Sequence, residues 1–322
     1  RLKRAGLTKV SRGALIVDLN DPHLPPCMLK KADGATLYAT RDLAGMVYRW
    51  ETYKFHESLY VVGVAQADHF KQIFKVMALL EEAEGLPETE RMTGRVKHIE
   101  FGWLKFGEKT MSTRRGNIII LKDVLSKAVN LAASRISEKN PQLLKRESQI
   151  QTVLGPQHPT ALMIGVGAVI FSQLSVKRQK DVNFVWEEVL NFEGETGPYL
   201  QYTHARLCSL MRHYDGEIVP EVDYSLLNHE DEQRVIELLA DFPETIADAA
   251  QNYDPYFISS YLLKLAGAFN KVYQRKDAAG RIDKIISENK QLTVARMALV
   301  KTTQIVLKEG LNLLGLQAPV EM

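Results

Sequence analysis

The chain has 322 residues, 45% of them hydrophobic and 25% charged, with a formal net charge of +2. This is the make-up of a soluble globular protein of ordinary two-domain size, and no apolar run reaches the roughly 20 residues of a membrane-spanning helix. Two distant cysteines, Cys27 and Cys208, exclude a disulfide framework and a thiolate zinc site, so no metal is expected on the protein itself. An intracellular, reducing compartment is the default, and a cytoplasmic location is expected.

The chain opens at Arg1, without a methionine or an apolar targeting core, and is read as beginning inside a larger protein. Ala14, Leu15, Ile16 and Val17 form a strand pattern closed by Asn20, Asp21 and Pro22. Asp33-Gly34 marks a tight turn between strand-like Met28-Leu29 and Thr36-Leu37-Tyr38. Thr40 suits an N-cap, which predicts a helix over 41–53. The continuous apolar run at 59–64 predicts a strand buried on both faces of a parallel sheet. Asp68 is expected to cap the next helix, which turns Phe70, Ile73, Phe74, Met77 and Leu80 toward a core and ends at Gly85-Leu86-Pro87. Strand, helix, strand, helix in this order predicts an α/β fold with a doubly wound sheet, whose ligands lie beyond the carboxyl ends of its strands. Tyr38 and Asp42 fall at one such end, Gln66 and His69 at the next. On the residues alone, Asp42 is either a site carboxylate or a favourable charge near a helix start.

Residues 104–117 carry a polar, cationic centre, Lys109-Thr110-Met111-Ser112-Thr113-Arg114-Arg115-Gly116, between apolar runs. Mobile cations and hydroxyls of this kind suit a triphosphate. A solvated surface loop would have the same composition. Beyond it the pattern is helical. A helix over 121–138 has Leu121, Leu125, Ala128, Ala132 and Ile136 recurring by threes and fours, and Asn140-Pro141 stops it. A second runs over 157–174 with Pro159 in its first turn, followed by a polar turn at 177–181. The chain breaks at 193–198 and resumes as helix over 199–214. Helices near 231–241, 255–275 and 293–314 follow, separated by Pro243, Gly280 and a polar linker. In the last, Leu299, Thr303, Val306, Gly310 and Leu313 face a bundle. Residues 215–254 hold twelve acidic side chains and one basic, Arg234, whereas 264–322 hold ten basic and five acidic. A basic end fits a phosphate backbone, and solvated helix faces explain it almost as well.

Four stretches, in order, resemble the arginine-specific class I aminoacyl-tRNA synthetases. The first is Leu-Tyr-Ala-Thr-Arg-Asp-Leu-Ala at 37–44, and the second begins Tyr-Val-Val-Gly-Val-Ala-Gln at 60. The third, Met-Ser-Thr-Arg-Arg-Gly at 111–116, is similar to the family's KMSKS loop. The fourth joins the Gly-Glu-Thr-Gly-Pro-Tyr junction at 194–199 to a tail, Ala-Arg-Met-Ala-Leu-Val at 295–300, that looks like a DALR domain. The resemblance implies the second half of a Rossmann-like class I catalytic domain followed by an α-helical DALR anticodon-binding bundle. The implied divisions are catalytic half and loop at 1–120, a helical junction at 121–192 and the anticodon-binding part at 193–322.

It also implies the site. Tyr38, Asp42 and Gln66 would grip the arginine substrate, as a planar five-donor guanidinium requires. Lys109, Ser112 and Arg114 would be the catalytic contacts to phosphate, with Met111 also at the ATP. Thr110 departs from the first lysine of the KMSKS pattern. Tyr202, Tyr273 and Met322 would pack around an opened anticodon loop, while His69 is read as ATP-adjacent or structural rather than catalytic. ATP with Mg2+, L-arginine and arginine tRNA are the expected ligands, and a monomer away from any membrane is expected. None of the eight histidines stands in a His-x-Gly-His setting, so these residues alone are expected not to activate arginine. A cysteine-specific relative would need cysteine zinc ligands, and a dinucleotide-binding oxidoreductase would need a G-x-G-x-x-G that is missing. A non-catalytic tRNA-binding protein of the same descent is the alternative.

Overall fold

The computed structural model describes residues 1–106, 119–218, 222–277 and 279–322. They fall into two compact units, Arg1–Trp103 and Leu104–Met322.

The first unit begins with an antiparallel meander of β1 (Thr8–Ser11), β2 (Ala14–Val17) and β3 (Cys27–Lys30). Arg12 and Gly13 turn the first hairpin, both at positive φ (49° and 81°), as a two-residue loop matched to strand twist requires. The first expected strand therefore lies outside any parallel sheet. The links between these strands are shorter than the dozen or more residues a parallel crossover takes. The expected parallel pairing appears further on, between β4 (Ser58–Gly63) and β5 (Val96–Phe101), in register from Ser58↔Val96 to Gly63↔Phe101.

Two helices flank β4 in sequence, α1 (Tyr38–Tyr53) before it and α2 (Ala67–Ala83) after it. The turn at Asp33-Gly34 forms, with Gly34 at φ 86°, but the returning strand shrinks to a single bridge, Lys30↔Thr36, because Tyr38 already starts α1. Leu37, not Thr40, occupies the N-cap. The Thr40 hydroxyl instead donates to the Leu29 carbonyl and ties α1 to β3. Likewise Gln66 occupies the N-cap position of α2 without a side-chain capping bond, after a single 3-10 turn over Val64–Gln66, and Asp68 sits inside the first turn facing Lys71. Phe70, Ile73, Met77 and Leu80 are buried as expected, against Leu43 and Met46 of α1. β4 differs from expectation. Tyr60 and Val62 pack on this cluster while Leu59 and Val61 are exposed, because an apolar run does not reveal whether both faces of its strand are covered.

In the second unit β6 (Leu104–Lys105) pairs in parallel with β9 (Val182–Asn183). Between them lie α3 (Leu121–Lys139), α4 (Pro141–Arg146), the hairpin of β7 (Ile150–Thr152) and β8 (Gly155–Gln157), and α5 (Pro159–Leu174). After β9 come α6 (Trp186–Val189), α7 (Gly197–His213), α8 (Glu230–Ala240), α9 (Phe242–Asn252), α10 (Tyr256–Gln274) and α11 (Lys290–Leu313). Gln157, expected at a helix start, belongs to β8, and Pro159 opens α5. Pro243, expected to separate helices, lies in the first turn of the unanticipated α9, where its missing N–H costs nothing. On α3 the buried stripe runs through Val124, Ala128, Val129, Ala132 and Ile136, so Leu121 is exposed. On α11 Leu299, Thr303, Val306 and Gly310 face inward with Leu307 and Leu311, and Leu313 does not.

Two close approaches need glycine. A Cβ on Gly165 of α5 would come within 2.6 Å of the Val129 backbone in α3, and one on Gly310 within 2.5 Å of Leu262. Arg296, in the DALR-like tail, is 6% exposed and joins three segments. It donates to Glu232 Oε1 of α8 (2.8 Å), to both oxygens of Asp283 (3.0 and 2.8 Å) and to the Lys284 carbonyl. Arg275, at the end of α10, reaches the same two carboxylates. The Arg296 and Arg275 guanidiniums hold the Asp283 carboxyl below the usual carboxylate range.

Candidate functional site

In the first unit two helix starts carry the residues singled out by sequence. Tyr38 is the first residue of α1 and Asp42 follows one turn later, so both lie on one face. Gln66 precedes α2 and His69 sits in its first turn. The two starts meet where His69 Nε2 donates to Asp42 Oδ2 at 2.7 Å. Among the described residues Asp42 Oδ1 has no hydrogen-bond partner, and the Asp42 side chain is 43% exposed. Tyr38 is 78% exposed, and Gln66 is exposed as well. Below them Phe70 stacks on His98 at 4.5 Å, and His98 Nε2 donates to the Val62 carbonyl of β4. A carboxylate steadied on one oxygen, with a phenol and an amide near it in the chain, has the acceptors that a planar cation needs. His69 holds one oxygen of Asp42 in this structure.

The second unit contains a cleft of about 500 Å³, lined by Tyr199, Tyr202 and Arg206 of α7, Asn270 and Lys271 of α10, and Met322. Arg206 is its centre. Its guanidinium lies over the Tyr202 ring at 4.7 Å and over the Tyr273 ring at 4.6 Å. Nη1 donates to Asn270 Oδ1 at 2.7 Å, and Asn270 Nδ2 donates to the Tyr199 hydroxyl at 2.8 Å. Tyr202 stays partly open to solvent. Arg135 and Lys139 from the end of α3 add charge to the wall, opposed by Glu193. Flat rings with a stacked guanidinium and surrounding cations offer stacking for an unpaired base and attraction for its phosphate.

Tyr202, Tyr273 and Met322 therefore gather around one feature, the first two through Arg206. Arg206 and Asn270 were not singled out by sequence. For Arg206 the signal was spacing: Tyr199, Tyr202 and Arg206 follow each other at three and four residues, which sets them on one helical face. Lys109, Met111, Ser112 and Arg114 lie outside the described residues. No helix among the described residues is long and apolar enough to cross a membrane.

Residues 1–186 match the family model of tRNA synthetases class I (R), catalytic domain, and residues 200–322 match the DALR anticodon binding domain. An arginine–tRNA ligase of Enterococcus faecalis is 44% identical over 322 residues, covering 100% of this chain and 52% of the relative. One of Clostridium botulinum is 40% identical over 317 residues, covering 98% of this chain and 52% of the relative. The solved Thermus thermophilus arginyl-tRNA synthetase superposes with a TM-score of 0.82 at 26% identity, covering 100% of this chain and 57% of that one. The Plasmodium falciparum arginyl-tRNA synthetase, at 19% identity and a TM-score of 0.78, shares the fold, over 100% of this chain and 51% of that one. The chain spans about half the length of the curated relatives it matches.

Proposed function

The chain belongs to the class I tRNA synthetase (R) family, and from that premise we propose that it is the portion of an arginine–tRNA ligase that holds the amino acid, closes on ATP and reads the anticodon. In this reading 1–120 supplies the catalytic half, 121–192 a helical junction and 193–322 the anticodon-binding part. Asp42 accepts the guanidinium of L-arginine with Tyr38 and Gln66 beside it, and His69 keeps the carboxylate turned toward the ligand. The arginine carboxylate attacks the α-phosphorus of ATP in line, a P–O bond forms, and pyrophosphate leaves. A terminal ribose hydroxyl of arginine tRNA then attacks the arginyl carbonyl of the adenylate, forming the ester as the acyl–phosphate bond breaks and AMP leaves with the hydroxyl proton released. Lys109, Ser112 and Arg114, with Met111 at the nucleotide, are assigned to the phosphates by family motif alone, and Mg2+ would enter with ATP. The 322 residues contain no His-x-Gly-His, so alone they are expected to give no arginine-dependent ATP–pyrophosphate exchange. We assign the chain to the cytoplasm as a monomer.

The observation that carries the tRNA reading is the cleft, where Tyr202 and Arg206 of α7 meet Met322 in one wall and Arg206 also lies over the Tyr273 ring. Single-stranded loops are recognised by splaying bases onto such surfaces. Arg206 is added to the reading as a stacked cation. The test is equilibrium binding of arginine tRNA transcripts with native and altered anticodon bases. Binding should weaken when an anticodon base is replaced, and equal affinity for an unrelated anticodon would remove the claim.

A further inference from the structure

Helix α7 has a second polar face. Gln201, His204 and Cys208 repeat the three-and-four spacing of Tyr199, Tyr202 and Arg206, displaced around the helix. Gln201 and His204 are 0% and 1% exposed, and burying an amide and an imidazole is costly unless they find partners. Each finds a partner on residues 316–322, a segment with neither helix nor strand. Gln201 Nε2 donates to the Gln317 carbonyl at 2.8 Å and to the Met163 carbonyl at 3.2 Å. His204 Nδ1 donates to the Pro319 carbonyl at 2.9 Å. With Nδ1 protonated, the neutral ring leaves Nε2 bare, 3.8 Å from Cys208 Sγ, which in turn accepts from Gln304 Nε2.

The same segment is tied further along. Arg212 Nη1 donates to the Val320 carbonyl (2.9 Å), Arg146 pairs with Glu321 (2.6 Å) and Asn140 Nδ2 donates to the Met322 carbonyl (3.3 Å). An irregular segment has no ladder to satisfy its backbone carbonyls, and here side chains from α7 and from the α3–α4 corner do so one by one. The segment ends with Met322 in the wall of the cleft. One face of α7 thus presents the aromatic reader, and the other fixes the strap that brings Met322 beside it.

We propose that Gln201 and His204 are positioning residues for tRNA recognition: they set the 316–322 strap, and through it Met322, at the anticodon cleft. This rests on the reading of the cleft given above. Neither residue touches the nucleic acid; each acts through a backbone carbonyl of the strap. Gly167 belongs to the same arrangement, since a Cβ there would come within 2.9 Å of Gln201 Nε2.

The experiment measures the ratio of affinities of the 322-residue chain for arginine tRNA transcripts with the native and a base-replaced anticodon. Met322→Ala should lower that ratio by about 5–150-fold, the span of a lost base contact. His204→Leu and Gln201→Met should lower it comparably. His204→Asn, which returns an N–H near the place of Nδ1, should restore most of it. The double variant His204→Leu/Met322→Ala should discriminate no worse than Met322→Ala alone, since both remove one contact. Arg212→Gln, at an exposed position, should lose a smaller, few-fold part, and it decides the matter if the buried variants do not fold. A wild-type ratio in folded His204→Leu or Arg212→Gln, or losses that multiply in the double variant, would overturn the proposal while leaving the cleft reading intact. An unchanged ratio in Met322→Ala would remove Met322 from the cleft reading and this proposal with it.

Discussion

In the first unit the candidate ligand residues stand open: Tyr38 and Gln66 are exposed, and among the described residues Asp42 is steadied by a single partner, His69. In the second unit the corresponding centre, Arg206, is stacked between two rings and hydrogen-bonded to Asn270, which Tyr199 holds in turn. In the proposed reading the difference follows from the two ligands. A small cation is gripped by a few acceptors that must remain unpaired until it arrives. A splayed base needs rigid flat surfaces that exist beforehand, since ordering them on binding would weaken it. One site is a set of waiting acceptors and the other a prebuilt platform.

Changes to the platform's supports should therefore be felt as stability, and changes to the acceptors as affinity. The largest effect is expected at Arg296. Arg296→Leu leaves Glu232, only 1% exposed, without one of its two guanidinium partners. Breaking a buried ion network from one side costs about 3–5 kcal/mol, read as a lower urea midpoint of the helical unit. An unchanged midpoint would mean that the network is structurally idle. Next, Tyr202→Ala removes one stacking face and should cost about 1–3 kcal/mol of tRNA binding with little change in thermal midpoint. A fall in midpoint equal to that of Arg296→Leu would erase the distinction between platform and support.

A smaller effect is expected on the acceptor side. His69→Gln removes the imidazole that orients Asp42, and arginine binding should weaken by about 0.5–1.5 kcal/mol, the net worth of one hydrogen bond. Calorimetry on wild type and variant checks it, and an unaltered affinity would make the contact incidental. The smallest is a pH effect on the strap. Burial, with Lys308 adding to it, holds the His204 pKa below the ordinary histidine value of 6.5. A depressed histidine favours the neutral form in the folded state. Its contribution is full above the unfolded value and is lost as pH falls below 6.5 toward the folded value. The helical unit should lose stability over that range, and His204→Asn should not show the loss.

Sequence patterns exposed the helices better than the sheet. The helix over 41–53, the stop at Asn140-Pro141 and the break at 193–198 before α7 follow local rules, and the helices appear close to where those rules put them. Thr40 and Asp68 look like caps by type, yet both helices start earlier and Thr40 spends its hydroxyl on β3. Leu59 and Val61 belong to an apolar run whose cover is decided by distant elements, which periodicity does not contain. Pro243 reads equally as a break or as a first turn. Motif resemblance pointed to Tyr202, Tyr273 and Met322; spacing puts Arg206 on the face of Tyr202, but its contact with Tyr273 depends on α10 lying beside α7.

The assignment of arginine as the amino acid depends above all on the Asp42 carboxylate. Calorimetric titration of the chain with L-arginine and with citrulline, its uncharged near-isostere, isolates that charge. Wild type should prefer arginine by about 10–150-fold, the worth of a charge-assisted hydrogen bond, and Asp42→Asn should abolish the preference while the fold stays intact. Equal binding of the two ligands by wild type, no binding of arginine, or a preference that survives in Asp42→Asn would contradict the account.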